Sequence, residues 1–306
     1  MLTFNALMAL AIPLVPRALV QKASRRYIAG SSVGEAVARI RELNALGCTA
    51  TVDVLGELVA DLRQAERTAD EYVEVLDALH AHGLAANVSV KPSALGLLLD
   101  EARCEQSLLR IVDAAARHGN FVRIDMEDAS CTQREIDLFG RLRLRLRLRH
   151  ANVGLVLQAY LQRTYRDIEP LLGPGQNLRL CKGIYVEDRR HLVDGAWQDR
   201  RAINAHFLHH VGRCFDTDTF VGIATHDAEL IDSVMALARH RNIDRSRFEF
   251  QMLLGVCEPL RDRLLQAGFR VRIYVPYGKD WYGYSTRRIK ENPQIAGYLV
   301  RAMLRR

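Results

Sequence analysis

Across seven of eight short apolar runs of this 306-residue chain, polar and charged side chains recur at alternate positions: Asp53, Ser89, Lys91, Arg123, Asp125, Gln158, Arg179, Glu249, Gln251, Arg272 and Tyr274. Charges on one face of an otherwise apolar strand must pair or do chemistry, because an isolated buried charge is costly. Lys and Arg capture anions, Arg through a planar fork that grips a carboxylate or phosphate twice. A nearby carboxylate such as Asp125 can orient those cations or handle protons. Asp53, Arg123, Glu249 and Arg272 are expected to form a satisfied ion network deep in the fold. Lys91, Asp125, Gln158 and Arg179 fall at or near strand ends and are the candidates for function.

The elements that must position these groups are the runs themselves: TVDVL at 51, ANVSVK at 86, FVRIDM at 121, VGLVLQ at 153, LRLCK at 178, FVGIAT at 220, FEFQML at 248 and VRIYVP at 271. Their other alternate set is apolar, as in Val52 and Val54, Val88 and Val90, Leu155 and Leu157, or Phe248, Phe250 and Met252. Successive strand residues point to opposite faces, so this set should face helices and the polar set should line an interior. Stretches such as EYVEVLDALHAHG and ELIDSVMALARHR carry helical periodicity between the runs. Eight strands alternating with helices imply an α/β fold with one parallel sheet closed into a (βα)8 barrel, whose site lies at the carboxyl ends of the strands. The expected division is an N-terminal helical extension over 1–34 and the barrel over 35–306.

Composition removes other classes. A 49% hydrophobic and 26% charged chain without low-complexity tracts folds as a globular protein. The six cysteines form no CxxC pair, which argues against a zinc site or a secreted disulfide scaffold and suits a reducing cytoplasm. The net charge of +7 comes with no nucleic-acid motif. Residues 1–16 are uncharged but broken by Pro13 and Pro16, too short to span a bilayer, and read as a packed N-terminal helix with loose membrane contact as the alternative. Gly30-Ser31-Ser32-Val33-Gly34 imitates a nucleophile elbow without a preceding strand; Ser32 with Glu35 reads instead as a helix capping box. His206 and His210 lack the Glu of a zinc-protease helix and are assigned to a surface helix, with no metal expected. The run RLRLRLRLRH at 141–150 reads as the solvated end of a crossover helix with Leu142 and Leu146 inward. Neither a GxGxxG fingerprint nor a Walker loop is present, so any nucleotide cofactor must be held by strand-end groups.

Taken in chain order, the strand ends spell VDVLGE (52–57), VSVKPSALG (88–96), VRIDMED (122–128), VGLVLQAYLQRT (153–164), LRLCKGIY (178–185), GIATHD (222–227), FEFQMLLG (248–255) and RIYVPYGKDWYGYSTRRIKEN (272–292). This series resembles the flavin-dependent proline dehydrogenase family in its short, monofunctional bacterial form, over about residues 35–305. The departures are Leu254, where the family usually has Tyr, and the Arg-Leu run at 141.

The resemblance implies transfer of a hydride from proline C5 to N5 of FAD, giving Δ1-pyrroline-5-carboxylate, with the reduced FAD reoxidised by a membrane quinone. It assigns Arg287 and Arg288 to the substrate carboxylate with Lys91 as a third cation, and Tyr274, Tyr284 and Leu253 to the walls around the ring. Asp125 becomes an active-site aspartate that orients Lys91 and Tyr274, and Arg179 the arginine beside the flavin. Met126, Gln158, Lys182, Gly183, Ile184, Thr225, His226 and Glu291 become FAD contacts, and Glu57 a gate paired with Arg288. Because the arginine pair follows the eighth strand, the last helix should lean over the barrel mouth. Two other readings compete: a Schiff-base lyase using Lys91 or Lys182, and a scaffold that keeps the barrel without chemistry.

Overall fold

The computed structural model describes residues 24–56, 58–146, 152–282 and 284–285. Eight parallel strands close into a barrel in chain order: β1 Thr49–Val54, β2 Ala86–Val90, β3 Val122–Ile124, β4 Val153–Gln158, β5 Asn177–Cys181, β6 Phe220–Ala224, β7 Phe248–Leu253 and β8 Val271–Tyr277. β1 pairs with β8, from Thr49 opposite Arg272 to Val54 opposite Tyr277, which completes the closure. All eight strands anticipated from periodicity are present, and the expected α/β barrel is the fold.

The helices over the outside are α1 Val33–Ala45, α2 Leu62–Ala81, α3 Glu101–Arg117, α4 Thr132–Leu146, the single turn α5 Thr164–Asp167, α6 Ile203–Asp216, α7 Ala228–His240 and α8 Glu258–Gln266. Several begin on a side chain that satisfies an otherwise orphaned amide. Ser32 and Glu35 form the expected capping box on α1. Asp61, Asp100 and Asp227 cap α2, α3 and α7 by accepting from Gln64, Arg103 and Leu230.

The apolar alternate set packs between sheet and helices as expected: Val52, Val88, Ile124, Leu155, Leu180, Phe250 and Val275 have essentially no exposed surface. Each such side chain contributes roughly 1.5–3 kcal/mol by leaving water, and α2 answers with a stripe of Ala65, Ala69, Tyr72, Leu76 and Leu79.

Two expectations change at this level. On α4, Leu142 points inward with no exposure, but the arginines there are not merely solvated: Arg141 and Arg145 both pair with Glu105 of α3, at 2.7 and 2.8 Å. His210 is fully buried on α6 rather than on a surface helix, and burial pushes its pKa down to about 4. Residues 1–23 and 286–306, on which the expected N-terminal helix and the expected last helix over the barrel mouth fall, lie outside the described residues. Those before α1 that are described cross the top of β8, where Ala29 N donates to Pro276 O and Gly278 N to Gly30 O.

The polar lumen depends on glycines. Arg123 on β3 reaches over Gly154 of β4 to donate to the Asn177 carbonyl of β5 at 2.8 Å. A Cβ on Gly154 would lie 2.5 Å from Arg123 Nη1, 2.7 Å from Phe121 Cζ and nearer still to the Asn177 oxygen. Gly154→Ala should therefore destabilise the fold by about 1–3 kcal/mol, measured by chemical denaturation; an unchanged midpoint would contradict this close approach.

Candidate active site

At the carboxyl ends of β1, β2, β3, β5 and β8 the lumen side chains join into one network. Lys91, just past β2, donates to Asp53 Oδ1 of β1 at 2.6 Å and to Tyr274 Oη of β8 at 3.3 Å. Tyr274 donates to Asp125 Oδ2 at 2.8 Å. Asp125 Oδ1 accepts from Ser89 Oγ at 2.6 Å and from Arg179 Nη1 at 2.7 Å. Burial, together with Asp125 and Asp53, pushes the Tyr274 phenol well above its ordinary pKa, so its proton stays in place as a donor. Its ring lies 5.5 Å from the Arg179 guanidinium and 5.9 Å from Lys91 Nζ, within cation–π range.

The network continues downward. Arg179 Nε donates to Gln251 Oε1, Gln251 Nε2 donates to Glu249 Oε1 at 2.7 Å, and Arg272 closes on Glu249 at 2.5 Å. Arg179 and Gln251 meet across β6 because its lumen residue is Gly222, where an added Cβ would strike the Gln251 amide. Burial opposes ionisation of Glu249, but Arg272, Gln251 and Arg123 outweigh it and hold its pKa low.

This geometry corrects two expectations. Of the four residues expected to form a lower ion network, Glu249 and Arg272 pair, whereas Arg123 donates to the Leu155 and Asn177 carbonyls and Asp53 is the counter-ion of Lys91. Asp125 therefore orients Tyr274 and Arg179, while Asp53 holds Lys91. The alternation of faces gave Asp53 its side but not its partner. Because Asp53 lies one residue short of the β1 end, Lys91 can bend its long stem back to it.

The residues assigned to the cofactor form an adjoining arc. Met126 is buried after Asp125, and Gln158 at the end of β4 donates to the Glu127 carbonyl at 2.7 Å. Lys182 pairs with Asp227 at 2.7 Å. Thr225 Oγ1 accepts from Asp227 N at 3.1 Å, and His226 Nε2 accepts from Leu253 N at 2.9 Å, so that ring nitrogen carries its lone pair. Gly183 is required by its backbone φ of +104° and by the Tyr160 ring, which an added Cβ would enter. Ile184 is 47% exposed at the mouth, whereas Tyr284 is buried. Glu57, Arg287, Arg288 and Glu291 lie outside the described residues.

Sequence reasoning also missed a strap between loops. Glu127 accepts from both N and Oγ of Ser93, Ser93 Oγ accepts from Leu58 N at 3.2 Å, and Glu127 N donates to the buried Glu135 carboxylate at 3.0 Å. Two acidic residues eight apart, one in the loop after β3 and one in the first turn of α4, give no hint that they would be sequestered. Among the described residues, no group of three or more His, Cys, Asp or Glu is arranged to hold a metal, and no helix is long and apolar enough to cross a membrane.

A closed parallel barrel whose mouth gathers paired cations and carboxylates has the layout of a barrel enzyme that handles an anion. The family model for proline dehydrogenase matches residues 36–301, and the chain belongs to that family. It is 33% identical over 283 residues to proline dehydrogenase 1 of Bacillus subtilis (strain 168), spanning 92% of this chain and 91% of that protein. It is also 33% identical over 285 residues to the proline dehydrogenase of Deinococcus radiodurans, spanning 92% and 90%. Among solved structures, proline utilization A from Bdellovibrio bacteriovorus inactivated by N-propargylglycine superposes with a TM-score of 0.81 at 24% identity. That match covers 89% of this chain and 33% of that one, and it supports the barrel fold.

Asp227 carries a measurable load. Burial raises its pKa, but hydrogen bonds from Lys182, the Leu230 amide and Asn204, with the Lys182 charge, outweigh burial and bring it down to about 2. A depressed carboxylate stabilises the fold above its ordinary pKa and loses that contribution as pH falls through the folded value. Asp227→Asn should cost about 2 kcal/mol at pH 7, and the difference from wild type should fade between about pH 4 and pH 2. A difference that is constant across pH in denaturation curves would remove the charge pairing from the account.

Proposed function

We propose that this chain oxidises L-proline to Δ1-pyrroline-5-carboxylate, the first step of proline catabolism, with FAD as cofactor and a membrane quinone as the final acceptor. The observation that carries the reading is the Lys91–Tyr274–Asp125–Arg179 network at the mouth of a barrel of this family. The named relatives, proline dehydrogenases in Bacillus subtilis and Deinococcus radiodurans, supply the substrate.

The donor set suits FAD. Lys182, at the end of β5, and Arg200, which donates to the Gly183 carbonyl at 2.7 Å, are cations where a pyrophosphate would need them. Ile184 offers an exposed apolar side chain beside them. Met126, Gln158, Gly183, Thr225, His226 and Glu291 complete the proposed contacts. When bound, FAD supplies the hydride acceptor and passes the electrons on to the quinone.

The chain's own residues do the rest. Arg287, Arg288 and Lys91 hold the proline carboxylate and fix the ring's orientation, and Glu57 closes on Arg288 as a gate. Leu253, Tyr274 and Tyr284 wall the ring and exclude water from the path of the hydride. Arg179, locked by Asp125, Ser89 and Gln251, presents a fixed positive charge where negative charge accumulates, and needs no rearrangement to do so. A Schiff-base lyase is disfavoured because Lys91 and Lys182 are both held as ion pairs with aspartates, whereas that chemistry needs a neutral amine.

The purified protein should be yellow, and anaerobic proline should bleach its flavin absorbance; a colourless protein unable to take up FAD would end the proposal. Arg288→Met should raise KM for proline by on the order of tenfold to a thousandfold, about 1.5–4 kcal/mol of charged hydrogen bonding. Unchanged steady-state kinetics in the folded variant would take the arginine pair out of the site.

A further inference from the structure

The segment that leaves β5, residues 182–187, carries Lys182, Gly183 and Ile184 and has no regular secondary structure of its own. Its shape comes from the chain that follows β4. Ala159 N and Tyr160 N donate to the carbonyls of Cys181 and Lys182 at 2.8 and 3.0 Å, and Val193 N returns to the Tyr160 carbonyl at 2.8 Å. Between those ends the segment rests on the Tyr160 side chain, which is buried. A Cβ built on Gly183 would fall 2.2 Å from Tyr160 Cε1, so backbone and ring are already in contact. Tyr160 Oη stands 3.4 Å from both the Tyr185 carbonyl and Glu187 Oε1. Glu187 Oε1 also accepts from Ala129 N at 2.8 Å, which joins the segment to the loop that carries Met126. Burial and the Glu187 charge push the Tyr160 phenol up, so its proton stays available to those acceptors.

The geometry points to Tyr160 as a positioning residue for the cofactor: its ring is the template that sets Lys182, Gly183 and Ile184 in place before FAD arrives. The role rests on the reading that these three residues meet FAD. A backbone free to move would have to be ordered on binding, and that ordering would subtract from affinity. The ring carries the larger share of the role. Its contact with Gly183 leaves no room for an added atom, whereas the hydroxyl contacts lie at the long end of hydrogen-bond range.

Tyr160→Phe keeps the ring and should hold the FAD dissociation constant within about threefold of wild type, whereas Tyr160→Leu should raise it about tenfold to a hundredfold. Dilution of the FAD-loaded proteins, with released flavin read by its fluorescence, measures both. At saturating FAD, KM for proline should stay within about twofold of wild type in Tyr160→Leu, because the cations assigned to the substrate lie on other segments. A purely structural role would lower the thermal midpoint of Tyr160→Leu and leave its FAD dissociation constant alone, and that result would overturn the proposal. An equal loss of FAD from Tyr160→Phe would overturn it too, since the ring would then not be what holds the segment.

Should Tyr160→Leu fail to fold even with FAD in excess, Tyr160→Met takes its place with the same expected loss of affinity. Failure of both to fold would make Tyr160 a residue of the fold alone and end the positioning role. Wild type that takes up no FAD would instead defeat the reading of function. Amide exchange over residues 183–187 should even then be faster in Tyr160→Leu than in wild type or Tyr160→Phe, and equal exchange would show that the ring does not hold the segment.

Discussion

The Arg179–Asp125 ion pair is the interaction on which the interior of this barrel is organised. Two charges, one on β5 and one just past β3, meet across the lumen, and each is claimed by further partners: Tyr274 and Ser89 on the aspartate, Gln251 and Ser89 on the arginine. A buried pair earns little stability by itself, since desolvation cancels much of the attraction. Its value here is geometric. With three hydrogen bonds on Arg179 and one from the Tyr274 hydroxyl to Asp125, both side chains are held in place before any ligand arrives, which is the condition for electrostatic assistance without reorganisation.

The pattern of who can reach whom is set by what the intervening strands omit. A parallel barrel places neighbouring lumen residues side by side in register, so a small residue on the intervening strand opens the way for a side chain to meet one two strands away. Gly154 and Gly222 are two such positions. They let Arg123 span from β3 to β5 and Arg179 from β5 to β7, and branched apolar residues at either position would have filled the lumen in the usual barrel manner.

Much of this was legible in the chain. Period-two alternation identified all eight strands and sorted each into a helix-facing and a lumen-facing set, because that alternation is a direct consequence of strand geometry. The rim of Lys91, Asp125, Gln158 and Arg179 followed from position alone. Pairing was not legible in the same way. Asp53 was placed with the lower layer because strand position reports height and face but not the reach of a four-carbon lysine stem. The Glu127–Ser93 strap and the burial of His210 arise from how loops and helices fold against one another, and no local pattern encodes that. For Arg287 and Arg288 the residue types suggest anion capture, and the resemblance to a family supplied their place.

Gln251 has a consequence for how the protein can change. It is the single amide that connects the rim to the Glu249–Arg272 pair beneath, accepting from Arg179 and donating to Glu249. Amides have a direction: the carbonyl end must face the guanidinium and the NH2 end the carboxylate. A reversed charge order in the lower layer would turn that amide end for end and present Arg179 with a donor where it needs an acceptor. The polarity of the barrel floor is thus inherited by its mouth, and exchanging Glu249 and Arg272 would break the relay even though the swap conserves both charge and volume.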